Sequence, residues 1–176
     1  MSKTMKRFDQ IETERTLMRK LTADDAEDFY ALNLDPDVLL YTGDKAFDHV
    51  ASAREFLMRY DQYQKYGVGR LAVINKSTLR FMGWCGLKYS EEKKEYDIGF
   101  RFFKHHWNQG YASETAKKCL SFAFEELQLN RLVGRAMKAN KSSIRVLEKI
   151  GMHYKAPFDF DGNEGLIYEA WNQTPV

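Results

Sequence analysis

One segment of the chain, residues 107–114 with the sequence WNQGYASE, has the composition of an anion-binding helix start. It lies directly before a long amphipathic pattern, and the first turn of a helix leaves four backbone N–H groups unpaired at the positive end of the helix dipole. A pyrophosphate reaches such amides where the turn is a glycine and the entering side chain is small, and Gly110 and Ala112 meet both conditions. Taken alone, a Gly-x-Ala step more often marks a plain helix start, so the rest of the chain must decide between the two interpretations.

Five further polar residues are candidates for chemistry, although each also has an ordinary structural interpretation. Asn140 and Ser143 are three residues apart and suit the capping of a short helix that begins between them. Asp97 stands in a strand pattern, where a carboxylate is either a proton acceptor or a hydrogen-bonded strand-end group. His105 and His106 precede the first segment, and an imidazole titrates in a useful range, but loop residues are the simpler interpretation.

Composition restricts the class of protein. The chain has 176 residues, enough for one domain with a full core, and a net charge of +2 with both signs mixed. The absence of a basic stripe argues against nucleic acid as the primary partner. No window approaches the roughly 20 apolar residues of a membrane helix. Cys85 and Cys119 form neither a CxxC pair nor a metal-ligand pattern, so we predict a cytoplasmic protein with no metal and no membrane partner.

Hydrophobic periodicity predicts the elements that position these groups. Period-two patterns predict strands at residues 16–19, 70–74, 81–87, 96–102 and 132–137, and two more around residues 161–162. Helical patterns follow Thr22, extend from Asp48 to a C-cap at Gly67, cover residues 112–127, and end at Gly151. Helices mixed with hairpins predict an α/β (α+β) fold, a mixed sheet with helices on both faces, in one domain.

Three blocks in a fixed order give the chain a family likeness. They are YDIGFRF at 96–102, WNQGYASE at 107–114 and KANKSSIRVLEKIGM at 138–152, supported by residues 13–19 and 35–38. Together they resemble the GNAT family of acetyl-CoA-dependent N-acyltransferases, and most closely its RimJ/RimL-like branch. The likeness runs from about residue 13 to residue 171. We therefore expect an N-terminal extension at 1–12 and a single GNAT domain at 13–176.

The resemblance implies how the cosubstrate acetyl-CoA is held. It predicts a central, mostly antiparallel sheet of about seven strands, in which the parallel strands 97–102 and 132–137 splay apart because a bulge interrupts their pairing. The pantetheine arm is expected in the gap, bound to the backbone near Phe100, Arg101 and Phe102. Its pyrophosphate is expected on the backbone amides of Gln109, Gly110, Tyr111 and Ala112. Trp107 stands where the wider family has Arg or Gln, as is usual in this branch.

The same resemblance implies the catalytic groups. Asn140 is expected to bond the pantetheine chain, and Ser143 to hydrogen-bond the CoA sulfur and protonate the departing thiolate. The wider family often uses a tyrosine one turn later, but that position is Leu147 here, which excludes a tyrosine acid. Asp97 occupies a place where the branch often carries Glu and is the candidate base, with its structural interpretation equally open. A backbone N–H near Phe100 is the expected oxyanion donor.

The sequence therefore predicts an N-acetyltransferase that acts on a primary amine by direct attack in a ternary complex. A weakly specified base favours a protein or peptide N-terminus, with a pKa of about 7.7–8.0, over a lysine or polyamine amine near about 10.4. Two alternatives stay open: a small-molecule acceptor such as a polyamine or amine antibiotic, and a non-catalytic acyl-CoA-binding module. We expect a monomer or a homodimer. The acceptor pocket is predicted from Asp35, Asp37, Tyr41, Thr42, Phe158, Asp159 and Tyr168.

Overall fold

A computed structural model describes Phe8 and residues 10–173 of the chain. Its centre is one eight-stranded sheet with the strand order β1-β2-β3-β4-β5-β6-β8-β7, in which the β5–β6 pair is parallel and the other neighbours are antiparallel. The strands are β1 (Gln10–Glu12), β2 (Thr16–Lys20), β3 (Arg70–Asn75), β4 (Phe81–Ser90), β5 (Glu95–Phe102), β6 (Arg131–Met137), β7 (His153–Phe160) and β8 (Asn163–Trp171). The predicted mixed α+β fold is confirmed.

Helices lie on both faces of this sheet. They are α1 (Ala26–Leu32), α2 (Pro36–Leu39), α3 (Val50–Arg59), α4 (Gln62–Tyr66), α5 (Tyr111–Glu125) and α6 (Lys141–Lys149), with 3-10 turns at Ala23–Asp25 and Lys104–His106. The predicted second helix is two helices, because Tyr60 is extended at ψ 108 and breaks the run before α4. Gly67 is the left-handed C-cap of α4, as expected. Across the described ranges, no helix is long and apolar enough to cross a bilayer.

The sheet has one strand more than the sequence predicted. The additional strand is β1, whose three residues pair with β2 and bury Ile11. A polar-apolar-polar triplet is too short to give a period-two signal, which explains why it was missed. Residues 1–7 and residue 9 of the predicted N-terminal extension lie outside the described residues, and the predicted boundary at residue 12 stays a prediction.

The sheet separates two hydrophobic cores. On one face, α5 and α6 bury Cys119 and Leu147 against the strands. On the other face, α1 and α3 bury Phe29 and Leu57 against Ala72. The strand residues of the α1–α3 core come from β3 and β4, where they lie next to residues of the α5–α6 core because neighbouring strand residues point to opposite faces. The helix pair α5–α6 and the helix pair α1–α3 therefore act on opposite sides of β5.

The feature that positions the site is the parting of β5 and β6. Their parallel pairing is limited to Asp97 with Val133 and Ile98 with Gly134, after which the strands diverge. The splay was predicted, but the bulge offered as its cause is wrong. Both strands keep an unbroken register against their outer neighbours β4 and β8. The gap therefore opens without an inserted residue in either strand relative to its outer neighbour.

Candidate active site

A cleft of about 1100 Å³ is lined by residues that border the gap between β5 and β6. It brings together the starts of α5 and α6, parts of β3 to β6, and the β7–β8 hairpin. The predicted site residues that line it are Asp97, Phe100, Arg101, Phe102, Gly110, Tyr111, Ala112, Asn140 and Ser143. Gln109 does not line the cleft, and its side chain donates to the carbonyl of His105 at 2.7 Å.

The start of α5 is an open helix N-terminus beside the gap. Gly110 is the N-cap with a left-handed φ of 83°, a conformation that favours glycine, and no side chain in the described part of the protein caps the first turn. A hydrogen bond connects this loop to the end of β5, since the indole Nε1 of Trp107 donates to the carbonyl of Phe102 at 2.9 Å. We call residues 107–112 the cradle. Its uncapped backbone N–H groups at the positive end of a 15-residue helix suit an anion.

Arg15 ties the cradle to the beginning of β2 and was not assigned a role from the sequence. Its Nε donates to Glu114 Oε2 at 2.7 Å, and its Nη1 donates to the backbone oxygen of Gln109 at 3.0 Å. Its guanidinium carbon lies 4.0 Å from the ring centre of Tyr111. The only signal in the sequence was the position of Arg15 inside the family-like block 13–19. One arginine thus contacts the loop, the first turn and the aromatic ring of the cradle.

Two titratable groups beside the cradle, Glu114 and His106, have lowered pKa values. Burial works against ionisation of Glu114, but hydrogen bonds from Thr13 and Arg15 outweigh it and lower the pKa of this carboxyl. Partial burial, with the neighbouring His105 as a second cause, lowers the pKa of His106, which lines the cleft. Near neutral pH, Glu114 is therefore charged and His106 is neutral.

Asn140 and Ser143 stand together at the start of α6. The side-chain oxygen of Asn140 accepts from the backbone N–H of Ser143 at 3.1 Å, so Asn140 is the N-cap of α6. Within the described part of the chain, the Asn140 Nδ2 and the Ser143 hydroxyl make no hydrogen bond. Capping therefore uses one end of the Asn140 amide and leaves its donor end free. α6 comes close to β6 at Gly134, where an added Cβ would meet Leu147 Cδ2 at 2.6 Å.

The candidate base Asp97 forms an ion pair. Its Oδ1 accepts from Arg70 Nη2 at 2.5 Å, and both side chains are largely buried. The same guanidinium also donates to the carbonyl of Gly86 at 2.7 Å. No hydrogen bond occupies Asp97 Oδ2 among the described residues, which leaves that oxygen as the one available to an incoming group. The structural interpretation of Asp97 as a hydrogen-bonded carboxylate is confirmed, and its role as a base stays a prediction.

The face of the sheet away from α5 and α6 carries a row of polar side chains at the cleft. We call Arg70, Trp84, Asp97, Arg101 and Arg135 the arginine face. They alternate along their strands with residues of the α5–α6 core. The guanidinium carbons of Arg70 and Arg101 lie 5.3 and 5.2 Å from the ring centre of Trp84. The Arg101 side chain therefore lies here, although its backbone was the part predicted to bind cosubstrate.

Each arginine of this face has an acidic partner. Arg101 donates to Asp44 at 2.6 Å and also to Asn33. Arg135 pairs with Glu95, and its guanidinium carbon lies 5.0 Å from the ring centre of Phe158. The sequence did not reveal this face, because its members come from four strands.

Five of the seven residues predicted for the acceptor pocket line the cleft, and their role in binding the acceptor stays a prediction. Asp37, Tyr41, Thr42, Phe158 and Asp159 line it. Two predicted members do not. Asp35 instead caps α2 by accepting from the Asp37 N–H at 2.9 Å. Tyr168 was placed on the wrong face of β8, since it is buried toward α6 and bonds Glu148 at 2.9 Å.

In the described residues, no group of three His, Cys, Asp or Glu side chains could hold a metal ion. Cys85 and Cys119 are free and buried.

Comparisons with known proteins agree with this architecture. A family model described as an acetyltransferase (GNAT) domain matches residues 15–153. The uncharacterized protein YkkB of Bacillus subtilis is 36% identical over 146 residues, which cover 81% of this chain and 84% of YkkB.

Solved structures show the same fold over nearly the whole chain. An acetyltransferase of the GNAT family from Bacillus anthracis has a TM-score of 0.82 at 27% identity, covering 94% of this chain and 99% of that one. A ribosomal-protein acetyltransferase from Vibrio fischeri has a TM-score of 0.77 at 13% identity, covering 93% and 97% of the two chains. At that identity, the second likeness concerns the fold alone.

Proposed function

Because the chain belongs to the GNAT acetyltransferase family, in its RimJ/RimL-type branch, we propose that it acetylates the α-amino group of a protein or peptide N-terminus, with acetyl-CoA as donor. The observation that carries the proposal is the parting of β5 and β6 after Ile98 and Gly134, beside the uncapped start of α5 and the start of α6. A ribosomal-protein acetyltransferase shares this fold, so the fold is compatible with a protein acceptor.

The residues at the cleft fit acetyl-CoA. The uncapped cradle with glycine at its turn suits the pyrophosphate, since a side chain at Gly110 would stand at the closest approach to the amides. Among the described residues, the β5 backbone beyond Ile98 has no strand partner on its β6 side, which leaves peptide groups available to the pantetheine arm. The free donor end of Asn140 suits the same arm. Bound in this way, acetyl-CoA supplies an activated acetyl thioester.

The chain's own groups can handle the proton movements of the transfer. The acceptor nitrogen forms the new C–N bond as the C–S bond breaks, so one proton must leave the amine and one must reach the sulfur. We assign the second task to the unpartnered hydroxyl of Ser143, and the first to Asp97 Oδ2, directly or through water. An α-amino group with a pKa of about 7.7–8.0 is partly neutral at physiological pH and needs little help from the base.

The test is release of the CoA thiol from acetyl-CoA in the presence of two peptide pools. One pool has free N-termini, and the other has the same peptides N-blocked but containing lysine. Release with the first pool alone would support the proposal. Release with the blocked pool, or with a polyamine and antibiotic panel only, would refute the N-terminal acceptor, and no release with any amine would favour a non-catalytic acyl-CoA-binding module.

A further inference from the structure

We propose that Trp84 and Arg135 bind an oxygen atom of the acceptor, so that the site selects amines with a carbonyl or carboxylate beside the amino group. The inference rests on the proposed function, since it concerns the acceptor of the same reaction. It adds a recognition site on the arginine face and the chemistry that this site accepts.

The first argument is the position of Arg135 at the opening of the gap. The last paired residues of β5 and β6 are Ile98 and Gly134, and the next residues along the two strands are Gly99 and Arg135. A Cβ at Gly99 would meet the Arg70 guanidinium at 2.8 Å, so Arg70 covers β5 at this point. The guanidinium groups of Arg70 and Arg135 therefore flank the place where the two strands separate.

The second argument is a pair of unsatisfied donors. Trp84 Nε1 and Arg135 Nε are buried and have no hydrogen-bond partner, and they are the two such side-chain atoms in the described residues. Both residues line the cleft. Buried polar groups in folded proteins are normally paired, so an unpaired donor beside a binding cleft points to a ligand atom that accepts. The nitrogen of an ammonium group cannot accept a hydrogen bond, whereas a carbonyl or carboxylate oxygen can.

The third argument is electrostatic. An aromatic ring in an amine site commonly attracts a cation through its face, but the Trp84 ring is already contacted by Arg70 and Arg101 from the strands on either side of β4. The carboxylates nearest to these arginines, Asp97 and Asp44, are engaged in ion pairs. A second ammonium group, as in a polyamine, would meet guanidinium groups there. A carbonyl or carboxylate oxygen at the same place would meet hydrogen-bond donors.

The experiment measures acceptor binding to the protein saturated with unacetylated CoA, by isothermal titration calorimetry. The probes are a dipeptide amide, a free α-amino acid and n-butylamine. We expect an oxygen-bearing probe to bind more tightly than n-butylamine. Tighter binding of the dipeptide amide would identify the oxygen as a peptide carbonyl, and tighter binding of the amino acid would identify it as a carboxylate.

Two variants test the named residues separately. Trp84→Phe keeps a ring but removes the N–H, and should weaken the preferred probe by about 3- to 10-fold. Arg135→Lys keeps the charge beside Glu95 but removes Nε, and should weaken it by roughly 10-fold or more. The matched control is Trp171→Phe. Trp171 also contacts an arginine, since the guanidinium carbon of Arg131 lies 5.6 Å from the centre of its ring, but Trp171 does not line the cleft. That variant should bind like the wild type.

Three results would overturn the inference: n-butylamine binding as tightly as both oxygen-bearing probes, no binding of any probe, or both site variants behaving like Trp171→Phe. CoA-thiol release measured on the same samples separates this inference from the proposed function. Oxygen-dependent binding that both variants weaken, without thiol release, would uphold the recognition site while refuting the acetyl transfer.

Discussion

Replacing Gly110 by alanine tests the cradle with the smallest possible change. At a φ of 83° an added Cβ should cost about 1–2 kcal/mol in free energy of unfolding, which for a chain of this size lowers the Tm by about 2–8 °C. The new methyl group would meet one neighbour, Arg15 Nη2 at 3.4 Å, so it enters open space beside the helix start. That space is where we place the pyrophosphate. Loss of one backbone hydrogen bond to a charged group corresponds to about 10- to 150-fold weaker CoA binding.

The matched control for Gly110→Ala is Gly151→Ala. Gly151 follows α6 with a φ of 97°, has no atom within 4 Å of an added Cβ, and does not line the cleft. Both variants should lose similar stability in thermal unfolding, because both force a side chain into left-handed backbone. Calorimetric titration with CoA should then show a loss of CoA affinity for Gly110→Ala and none for Gly151→Ala. Equal CoA affinity in the two variants would refute the cradle, because it would show that the site of the methyl group is irrelevant to the ligand.

The other predictions concern the acid, the arginine clamp and pH. Ser143→Ala should lower turnover with little change in CoA affinity, and a variant as active as the wild type in thiol release would refute its role as the acid. Arg15→Lys keeps the charge but cannot hold Glu114 and Gln109 together, so CoA affinity measured by calorimetry should fall by about 3- to 10-fold. The surface variant Arg59→Lys should leave CoA affinity unchanged. The pKa of His106 is lowered in the folded protein, so the unfolded chain binds a proton at this residue first as the pH falls from about 6.5, and the free energy of unfolding should decrease. In urea unfolding between pH 7.5 and 5.5, His106→Gln should show a smaller decrease than the wild type. An identical decrease in the two proteins would contradict the lowered pKa.

The parts of the site that the sequence predicted are those encoded by local patterns. Gly110 had to be the turn before a helix because of its position at the start of a long apolar stripe, and the structure places it there with positive φ. Asn140 had to be near a helix start because an amide three residues before Ser143 is a capping arrangement, and it is the N-cap of α6. In both cases a few adjacent residues determine backbone geometry, so the chain order alone was sufficient.

The parts that were missed depend on register and long-range contacts. Tyr168 was predicted to line the acceptor pocket as part of the C-terminal hairpin, but a shift of one residue along a strand reverses the face to which a side chain points. The contact of Arg15 with Glu114 joins residues 99 positions apart. Arg135 acquires its position only because β6 leaves β5 one residue earlier. No spacing rule in one sequence specifies where two strands stop pairing.

The contacts of Arg15 explain how an acidic side chain would be tolerated inside the proposed anion site. Glu114 lies in the first turn of α5, where the helix dipole stabilises a negative charge, so its carboxylate would oppose a phosphate bound at the same end. The Arg15 guanidinium neutralises this carboxylate and lies beside Gly110. The dipole and the uncapped amides then remain available to a ligand. Because the neutralising cation comes from the turn before β2, we expect the affinity of the cradle for an anion to depend on the docking of the N-terminal strands as well as on the cradle's own sequence.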